Sequence, residues 1–175
     1  FVEDNVRVSL YRPFFKQFLY FDSLWNHRIA QMPKLFPTKA SENLVIMVAG
    51  IGANMFSCLM SDTVPCLDCV DKSQCFPRYL YADNGIFGKQ RIDAISDEAL
   101  RHFAEAYGRE VTADDLFYYI YGILHSEDYR ERYANNLMKE LPRIPRVATY
   151  EQFTTFRDAG RALGELHVNF ENVQP

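Results

Sequence analysis

The spacing of hydrophobic residues changes near residue 90, and this change limits the chain to few folds. Before it, segments rich in β-branched and aromatic residues alternate with polar residues or form brief apolar runs, which is typical of strands. After it, apolar residues recur at three- and four-residue intervals, the spacing of one helix face. We therefore predict an α+β fold, with a small, mostly antiparallel sheet from residues 5 to 82 followed by a bundle of about four helices.

The length and composition favour one domain. A chain of 175 residues that is 48% apolar can bury a core without disulfides or structural metals. We predict a single domain over residues 1–175, with a strand-and-loop part at 1–91 and a helical part at 92–175. Because the chain starts at Phe1 without a methionine and ends on a polar tail, we interpret it as a fragment of a larger polypeptide.

No segment is typical of a membrane protein. The longest apolar run, residues 44–49, is too short to cross a bilayer, and no signal peptide opens the sequence. We therefore expect a cytoplasmic location and no membrane partner.

The strand predictions rest on short apolar segments. In the first, residues 6–10, Val6, Val8 and Leu10 are expected to face inward, with Arg7 and Ser9 facing outward. Four further strands are predicted at residues 17–21, 44–48, 56–60 and 76–81, with a turn at residues 83–85 after the last. Between the second and third lies a basic loop, residues 27–39, which is either functional or an ordinary solvated loop.

Residues 114–145 predict a helical hairpin. Thr112 caps its first helix and Ser126 its second, which carries a stripe of Tyr129, Tyr133, Leu137 and Leu141 and ends at Pro142. The predicted core residues of the helical part are Phe117, Ile120, Leu124, Tyr133, Leu137 and Phe156.

Two more helices flank this hairpin. Ser96 caps the earlier one, which ends at Gly108, and Thr149 with Gln152 forms a capping box for the later one. Four residues of the last helix are expected to face inward: Phe153, Phe156, Leu163 and Leu166.

A strand that runs into Gly50-Ile51-Gly52 invites a nucleotide-binding interpretation. That interpretation requires a third glycine and a following helix, whereas the sequence has Met55 and then a strand-like segment. A glycine-bearing hairpin between two strands explains the pattern better.

The four cysteines, Cys58, Cys66, Cys69 and Cys75, leave a zinc site open as an alternative. Cys66 and Cys69 have the spacing of a metal-binding pair, but the remaining spacings match no common zinc pattern. Buried free thiols explain them better, and disulfides are not expected in the cytoplasm.

The sequence contains no recognisable catalytic arrangement. P-loop, zinc-protease and hydrolase nucleophile motifs are missing, as is the Asn/Asp-Pro-Pro-Tyr motif of amino-methyltransferases. Of the four histidines, His102, His125 and His167 lie on or beside predicted helices, which favours core or cap roles. We predict no catalytic residue and no cofactor in this chain.

Several motifs carry a resemblance to a known family. They are DDLFYYIYGILHSxxYRERY from residue 114, LPRIP from 141 and AGRALGELHVNFE from 159, with YRPF from 11 and QCFPRYLY from 74. Together they resemble the C-terminal specificity domain of Type ISP restriction-modification enzymes. The resemblance implies a target-recognition domain that binds double-stranded DNA beside methyltransferase and helicase-like domains of the same polypeptide. It also implies that S-adenosylmethionine, ATP and Mg²⁺ act in the parent adenine-N6 methyltransferase, which carries helicase and nuclease parts, and not in this chain.

The charge distribution indicates which half would face DNA. Residues 1–91 carry ten Lys and Arg against eight Asp and Glu, whereas residues 92–175 carry nine against fifteen. We therefore predict that DNA-facing residues lie in the first half: Arg28, Lys34, Asn54, Ser57, Lys72 and Ser73, with Arg12, Lys16 and Arg78 as phosphate contacts. The alternative is a structural coupling domain whose aromatic helices dock protein partners without reading DNA.

Overall fold

The computed structural model describes residues 1–174, except for the side chain of Phe87, and confirms the α+β fold. Within these residues there are eight strands and six helices. The strands are β1 (Val6–Arg12), β2 (Phe15–Tyr20), β3 (Val45–Val48), β4 (Cys58–Ser61), β5 (Val64–Pro65), β6 (Gln74–Pro77), β7 (Tyr79–Asp83) and β8 (Lys89–Asp93). The helices are α1 (Met32–Leu35), α2 (Asp97–Tyr107), α3 (Ala113–His125), α4 (Glu127–Arg132), α5 (Ala134–Leu137) and α6 (Tyr150–Val168).

The strands form three small sheets in place of the one sheet predicted. The first has the order β2-β1-β5, the second β4-β3-β6, and the third is the two-stranded ribbon β7-β8. All pairings are antiparallel except that between β1 and β5, where Ser9 lies opposite Val64.

The central strand β3 separates two hydrophobic cores. All four of its residues are buried. Because successive strand residues point to opposite faces, Ile46 and Val48 join the core beneath the helices, whereas Val45 and Met47 join a second core with Leu10 of β1. The second sheet is therefore a middle layer between the helices and the first sheet.

The helical part is organised around the contact between α3 and α6. Their backbones approach so closely that a methyl group at Gly160 would overlap the carbonyl oxygen of Tyr118, and one at Gly122 would overlap that of Phe156. Only glycine allows this approach.

The predicted helix starts are confirmed. Ser96 accepts a hydrogen bond from the backbone N–H of Ala99, and Thr149 forms a capping box with Gln152. Gly108 ends α2 in the left-handed conformation with φ of 61°.

The second helix of the predicted hairpin is broken. It divides at Tyr133 into α4 and α5, since Tyr133 has φ of −109° and ψ of 17°, outside the helical region. Leu141 lies beyond α5 and is 36% exposed, so the predicted four-residue stripe does not continue to it.

Most of the predicted helical core is confirmed. Phe117, Leu124 and Leu137 are buried, and the other three predicted residues are partly buried against the same core: Ile120, Tyr133 and Phe156. Leu166 was expected to face inward, but it is 52% exposed because the inward face of α6 is formed by Phe153, Gly160 and Gly164.

The predicted alternation in β1 is confirmed at Leu10, which is buried, but it is wrong at the three residues before it. Arg7 and Ser9 are buried, whereas Val8 is 41% exposed. Strand β1 is the central strand of its sheet, between β2 and β5, and Pro37 lies against its inner face. Arg7 therefore points inward and donates a hydrogen bond to the carbonyl of Pro37 at 3.4 Å.

The last predicted strand is also different. Residues 76–81 divide at Arg78 into β6, which pairs with β3, and β7, which pairs with β8. The predicted turn at residues 83–85 leads through a short 3-10 turn into β8, which the sequence analysis did not predict. The glycine-bearing hairpin is confirmed, because β3 and β4 pair antiparallel around residues 49–57.

No helix in the described part of the chain combines the length and the apolar character needed to cross a membrane.

Candidate nucleic-acid interface

Two loops pack together at one end of the second sheet. Residues 49–57 join β3 to β4, and residues 66–73 join β5 to β6. The backbone N–H of Gly50 donates to the carbonyl of Asp71 at 3.0 Å, and the Asp71 carboxylate accepts from the N–H of Asn54 at 3.2 Å. We call residues 49–57, residues 66–73 and the adjacent Arg12 the paired-loop surface.

The conformation of this surface is tightly determined. Asp71 and Lys72 have φ of 58° and 52°, in the left-handed region that residues other than glycine seldom adopt. A methyl group at Gly50 would overlap the carbonyl of Lys72. Such backbone costs on the order of 1 kcal/mol per residue and persists where surrounding contacts enforce it. The backbone of the two loops is therefore held in one conformation, which restricts where their side chains can lie.

Three predicted DNA-facing residues are exposed on the paired-loop surface. They are Arg12, Asn54 and Lys72. The Lys72 ammonium donates to the carbonyl of Gly52 at 2.6 Å, which uses one of its three protons. Arg12 donates to the carbonyl of Asp68 at 3.3 Å and lies 4.6 Å from the ring of Tyr11. These contacts orient both cations and leave further donors available to a ligand.

The two predicted serines lie beneath this surface. The hydroxyl of Ser57 donates to the carbonyl of Val70 at 3.4 Å, and the buried hydroxyl of Ser73 accepts from the N–H of Val70 at 3.1 Å. Ser73 therefore ties the loop together, and its burial does not favour direct contact with a ligand.

Lys16 is engaged within the chain. Its ammonium lies 3.3 Å from the carboxylate of Glu171 and 3.9 Å from that of Asp62, and it donates to the carbonyl of Val168 at 3.4 Å. These contacts fasten β2 to the end of α6, so the charge of Lys16 is balanced internally.

Arg78 is buried, and only 6% of its surface is exposed. Its guanidinium donates to Asp93 of β8 at 2.5 Å and to Asp114 of α3 at 2.6 Å. Burial alone would lower the pKa of Arg78, but the hydrogen bonds to the two carboxylates raise it above its ordinary value. The geometry is that of a structural junction and does not favour a phosphate contact.

The remaining two predicted residues lie away from the paired loops. Arg28 is exposed in the loop after β2, with φ of 60°. Lys34 is exposed on α1, which contacts β7. The predicted residues are thus divided between several surfaces.

The four cysteines do not converge on one point. Cys58 lies in the core beneath the helices, whereas Cys69, with Cys66 and Cys75 against it, belongs to the second core. Burial raises the pKa of Cys69 to about 11 and that of Cys75 to about 12, so both thiols stay protonated at neutral pH. Over residues 1–174, no group of three or more His, Cys, Asp or Glu is arranged to hold a metal. This arrangement does not support the zinc alternative.

Two half-buried histidines, His125 and His167, lie close together with ring centroids 5.6 Å apart. The hydroxyl of Tyr121 lies 2.5 Å from Nδ1 of His167, and Arg130 lies 3.2 Å from Nδ1 of His125. Burial, with Arg130 and His167 adding to it, lowers the pKa of His125 to about 4. His102 is exposed on α2, so its predicted core or cap role is wrong.

Comparison with known proteins identifies relatives along the whole chain. Three of them are solved structures of longer chains. A cryo-EM structure of a DrdV–DNA complex is 39% identical with a TM-score of 0.91, covering 99% of this chain and 17% of that one. The ATP-dependent Type ISP restriction-modification enzyme LlaBIII bound to DNA is 32% identical with a TM-score of 0.87, covering 100% and 12%. A nuclease-deletion mutant of the Type ISP enzyme LlaGI with a DNA substrate mimic is 34% identical with a TM-score of 0.81, covering 100% and 15%.

This chain therefore spans less than a fifth of the length of these structural relatives. A comparison with curated proteins finds no match. All of residues 1–175 match the family described as the Type ISP C-terminal specificity domain. The chain belongs to this family of specificity domains, which are parts of restriction-modification enzymes.

Proposed function

We propose that this chain recognises the DNA target sequence of a Type ISP restriction-modification enzyme. The observation that carries the proposal is the match of the whole chain to a specificity domain whose solved relatives were determined with DNA or a DNA mimic. The paired-loop surface supports it, since amide and cationic side chains stand there on two mutually braced loops.

Within this function, we assign different roles to three residues. A side-chain amide can pair with the N6 and N7 groups of adenine, so Asn54 reads a base edge. Arg12 and Lys72 carry positive charge at the same surface and hold neighbouring phosphates, which set the register of the domain on the duplex. Ser57 and Ser73 stabilise the loops from beneath.

Catalysis belongs to other parts of the parent polypeptide. We propose that the parent is an adenine-specific DNA methyltransferase with helicase-like and nuclease parts, acting in the cytoplasm with S-adenosylmethionine, ATP and Mg²⁺. In this division of labour, the present chain supplies sequence preference and no reacting group.

Competition binding by the full-length enzyme at two salt concentrations tests these roles. Replacing Asn54 with Ala should weaken cognate binding by roughly 1–3 kcal/mol and relax preference at one position. Replacing Lys72 with Ala should weaken binding to all DNA sequences alike. It should also reduce the slope of the logarithm of the binding constant against the logarithm of salt concentration by about one. Lys139→Ala, at an exposed position in the helical half, is the control with the same charge change. If Lys139 affects target preference while Asn54 and Lys72 do not, the interface lies in the helical half.

A coupling role is a second candidate, but not through the aromatic helices. The α3 aromatics Tyr119 and Tyr121 are fully buried in the core of this chain. Large aromatic side chains are instead exposed near the β1-β2 hairpin, where Phe18 is 79% and Trp25 75% exposed. An apolar surface of this kind suits another domain of the same polypeptide. Loss of assembly without loss of target preference in Phe18→Ser would support coupling at this surface.

A further inference from the structure

The β7-β8 ribbon stands apart from the two other sheets. Its strands pair only with each other over the described residues. All five residues of β8 are exposed, and Ile86 in the connecting turn is 94% exposed. Packing within this chain therefore does not explain the sequence of the ribbon tip.

The ribbon extends away from the paired-loop surface. β6 runs along β3 from Gln74, opposite Val48 near the paired loops, to Pro77, opposite Val45 at the far end. Strand β7 then continues in the direction of the residues that precede β3. There the hydroxyl of Tyr81 donates a hydrogen bond to the carbonyl of Glu42 at 2.9 Å. At about 3.3 Å per residue, β3 separates the two surfaces by roughly 10 Å before the ribbon begins.

The base of the ribbon is rigidly held. Arg78 joins its two strands to α3 through Asp93 and Asp114, and the guanidinium groups of Arg78 and Arg91 each lie 4.3 Å from the ring centroid of Tyr79. Leu80 packs against the second core. A ribbon fixed at its base loses little conformational freedom when its tip binds a partner.

The ribbon carries exposed donors and acceptors of the kind that read DNA bases. Gln90 accepts a hydrogen bond from Asn84 at 3.2 Å, and Arg91 lies opposite Tyr81 in the neighbouring strand. Gln can pair with the N6 and N7 groups of adenine, as Asn can. Because successive strand residues point to opposite faces, Arg91 lies on the other face of the ribbon, where it packs over Tyr79.

The charge beside the ribbon is complementary to a polyanion. Lys89 donates to the carbonyl of Pro33 at 3.5 Å, which places α1 and its exposed Lys34 next to the tip. On the ribbon, the negative charge of Asp93 is neutralised by Arg78. Among the other charged side chains of β7 and β8, the two positive charges of Lys89 and Arg91 exceed the one negative charge of Asp83.

We propose that the β7-β8 ribbon enters the major groove of the target duplex, where Gln90 reads a base edge while Lys34, Lys89 and Arg91 hold phosphates. A two-stranded ribbon fits this groove, which is about 12 Å wide. The proposal rests on the proposed function, and it adds a second reading element beyond the paired-loop surface.

Three substitutions in the full-length enzyme test the proposal by competition binding. Gln90→Ala should reduce the preference for the cognate site over a singly mismatched site by roughly tenfold or more, whereas Arg91→Ala should weaken binding to all sequences alike. Arg91→Ala removes a positive charge, so it should also reduce the salt slope by about one. Arg101→Ala, at an exposed position on α2, is the control and should leave preference unchanged. Unchanged unfolding midpoints verify that the variants remain folded.

A photo-crosslinking amino acid at Ile86 identifies the partner of the tip directly. Crosslinks to bases of cognate DNA are expected, whereas crosslinks only to another protein segment would overturn the proposal. If Asn54 and Lys72 variants alter binding while Gln90 and Arg91 variants do not, the ribbon inference fails and the proposed function stands. If an enzyme lacking the whole domain keeps its target preference, the proposed function itself fails.

Discussion

Arg78 shows how one residue can be misjudged from its charge alone. In the sequence it is an arginine in a positively charged half, and this pattern favours a phosphate contact. In the structure its side chain is buried and joins the β6-β7 junction to β8 and α3 through two carboxylates. A sequence without an alignment carries no signal that Asp93 and Asp114 would converge on it.

Replacing Arg78 with Ala should therefore destabilise this chain. Removing one partner from a buried ion pair commonly costs about 3–5 kcal/mol, but both aspartates are half-exposed and solvent screening reduces the loss. We expect a decrease of about 1–3 kcal/mol in the free energy of unfolding, measured by urea denaturation. Arg101→Ala should stay within about 0.5 kcal/mol of the parent. Equal stability of the two variants would contradict the junction role.

The His125 site predicts a stability loss in mild acid. Because burial lowers the pKa of His125 from its ordinary 6.5 to about 4, the unfolded chain binds the proton more readily between these values. The stabilising contribution should be complete above pH 6.5 and decline progressively towards pH 4. Urea denaturation of this chain across that range should show a smaller pH dependence for His125→Gln. An unchanged pH dependence would show that folding does not lower the pKa of His125.

At the scale of elements, the contact between α3 and α6 determines the helical architecture. Gly122 and Gly160 allow two helix backbones to meet, and Gly164 brings α6 against Met60 of β4. Neither contact depends on the apolar stripes from which the helices were predicted. Helix α3 thus packs mainly against α6, which is distant in sequence, and much less against α4, which directly follows it.

Gly160→Ala separates this packing from helix propensity. Propensity alone predicts stabilisation by about 1 kcal/mol. A methyl group at Gly160 would instead lie 2.7 Å from the backbone nitrogen of Gly122 and overlap the Tyr118 carbonyl, so we expect a net destabilisation of about 1–3 kcal/mol by urea denaturation. Gly164→Ala should cost less, because it meets the flexible side chain of Met60. Stabilisation by Gly160→Ala would rule out the close approach.

The sequence predicted those elements whose signals are local. Capping residues such as Ser96 and Thr149 mark helix starts because their hydrogen bonds involve residues three positions away. β8 was missed because its five exposed residues show no hydrophobic alternation. The inward turn of Arg7 depends on Pro37, thirty positions away, and no local pattern contains that information.

The same distinction applies to the candidate site. The exposure of Arg12, Asn54 and Lys72 agrees with their prediction as DNA-facing residues, but exposure alone does not test contact. The bracing of one loop by another depends on Gly50 and Asp71, whose meeting requires the whole second sheet. Residue type and charge indicated which half of the chain would face DNA. The tertiary structure shows which of its candidate residues share an exposed surface.

At the scale of the whole molecule, the layers separate two tasks. The helical part, with nine Lys and Arg against fifteen Asp and Glu in residues 92–175, supports one face of β3. The other face of β3 packs towards the first sheet, and the ends of the second sheet carry the paired loops and the ribbon. An acidic scaffold beneath the polar loops and ribbon agrees with the proposed function if neighbouring parts of the polypeptide supply further phosphate contacts.

Exchanging this domain between two enzymes tests the central claim most directly. Residues 1–175 would replace the corresponding region of LlaBIII, which aligns along the whole chain with a TM-score of 0.87. The target of the chimera would then be determined by sequencing the methylated sites in DNA that it has modified. If the domain reads sequence, the chimera should modify the target of the enzyme that donated the domain and lose that of LlaBIII. A chimera that is active and keeps the LlaBIII target would contradict the account.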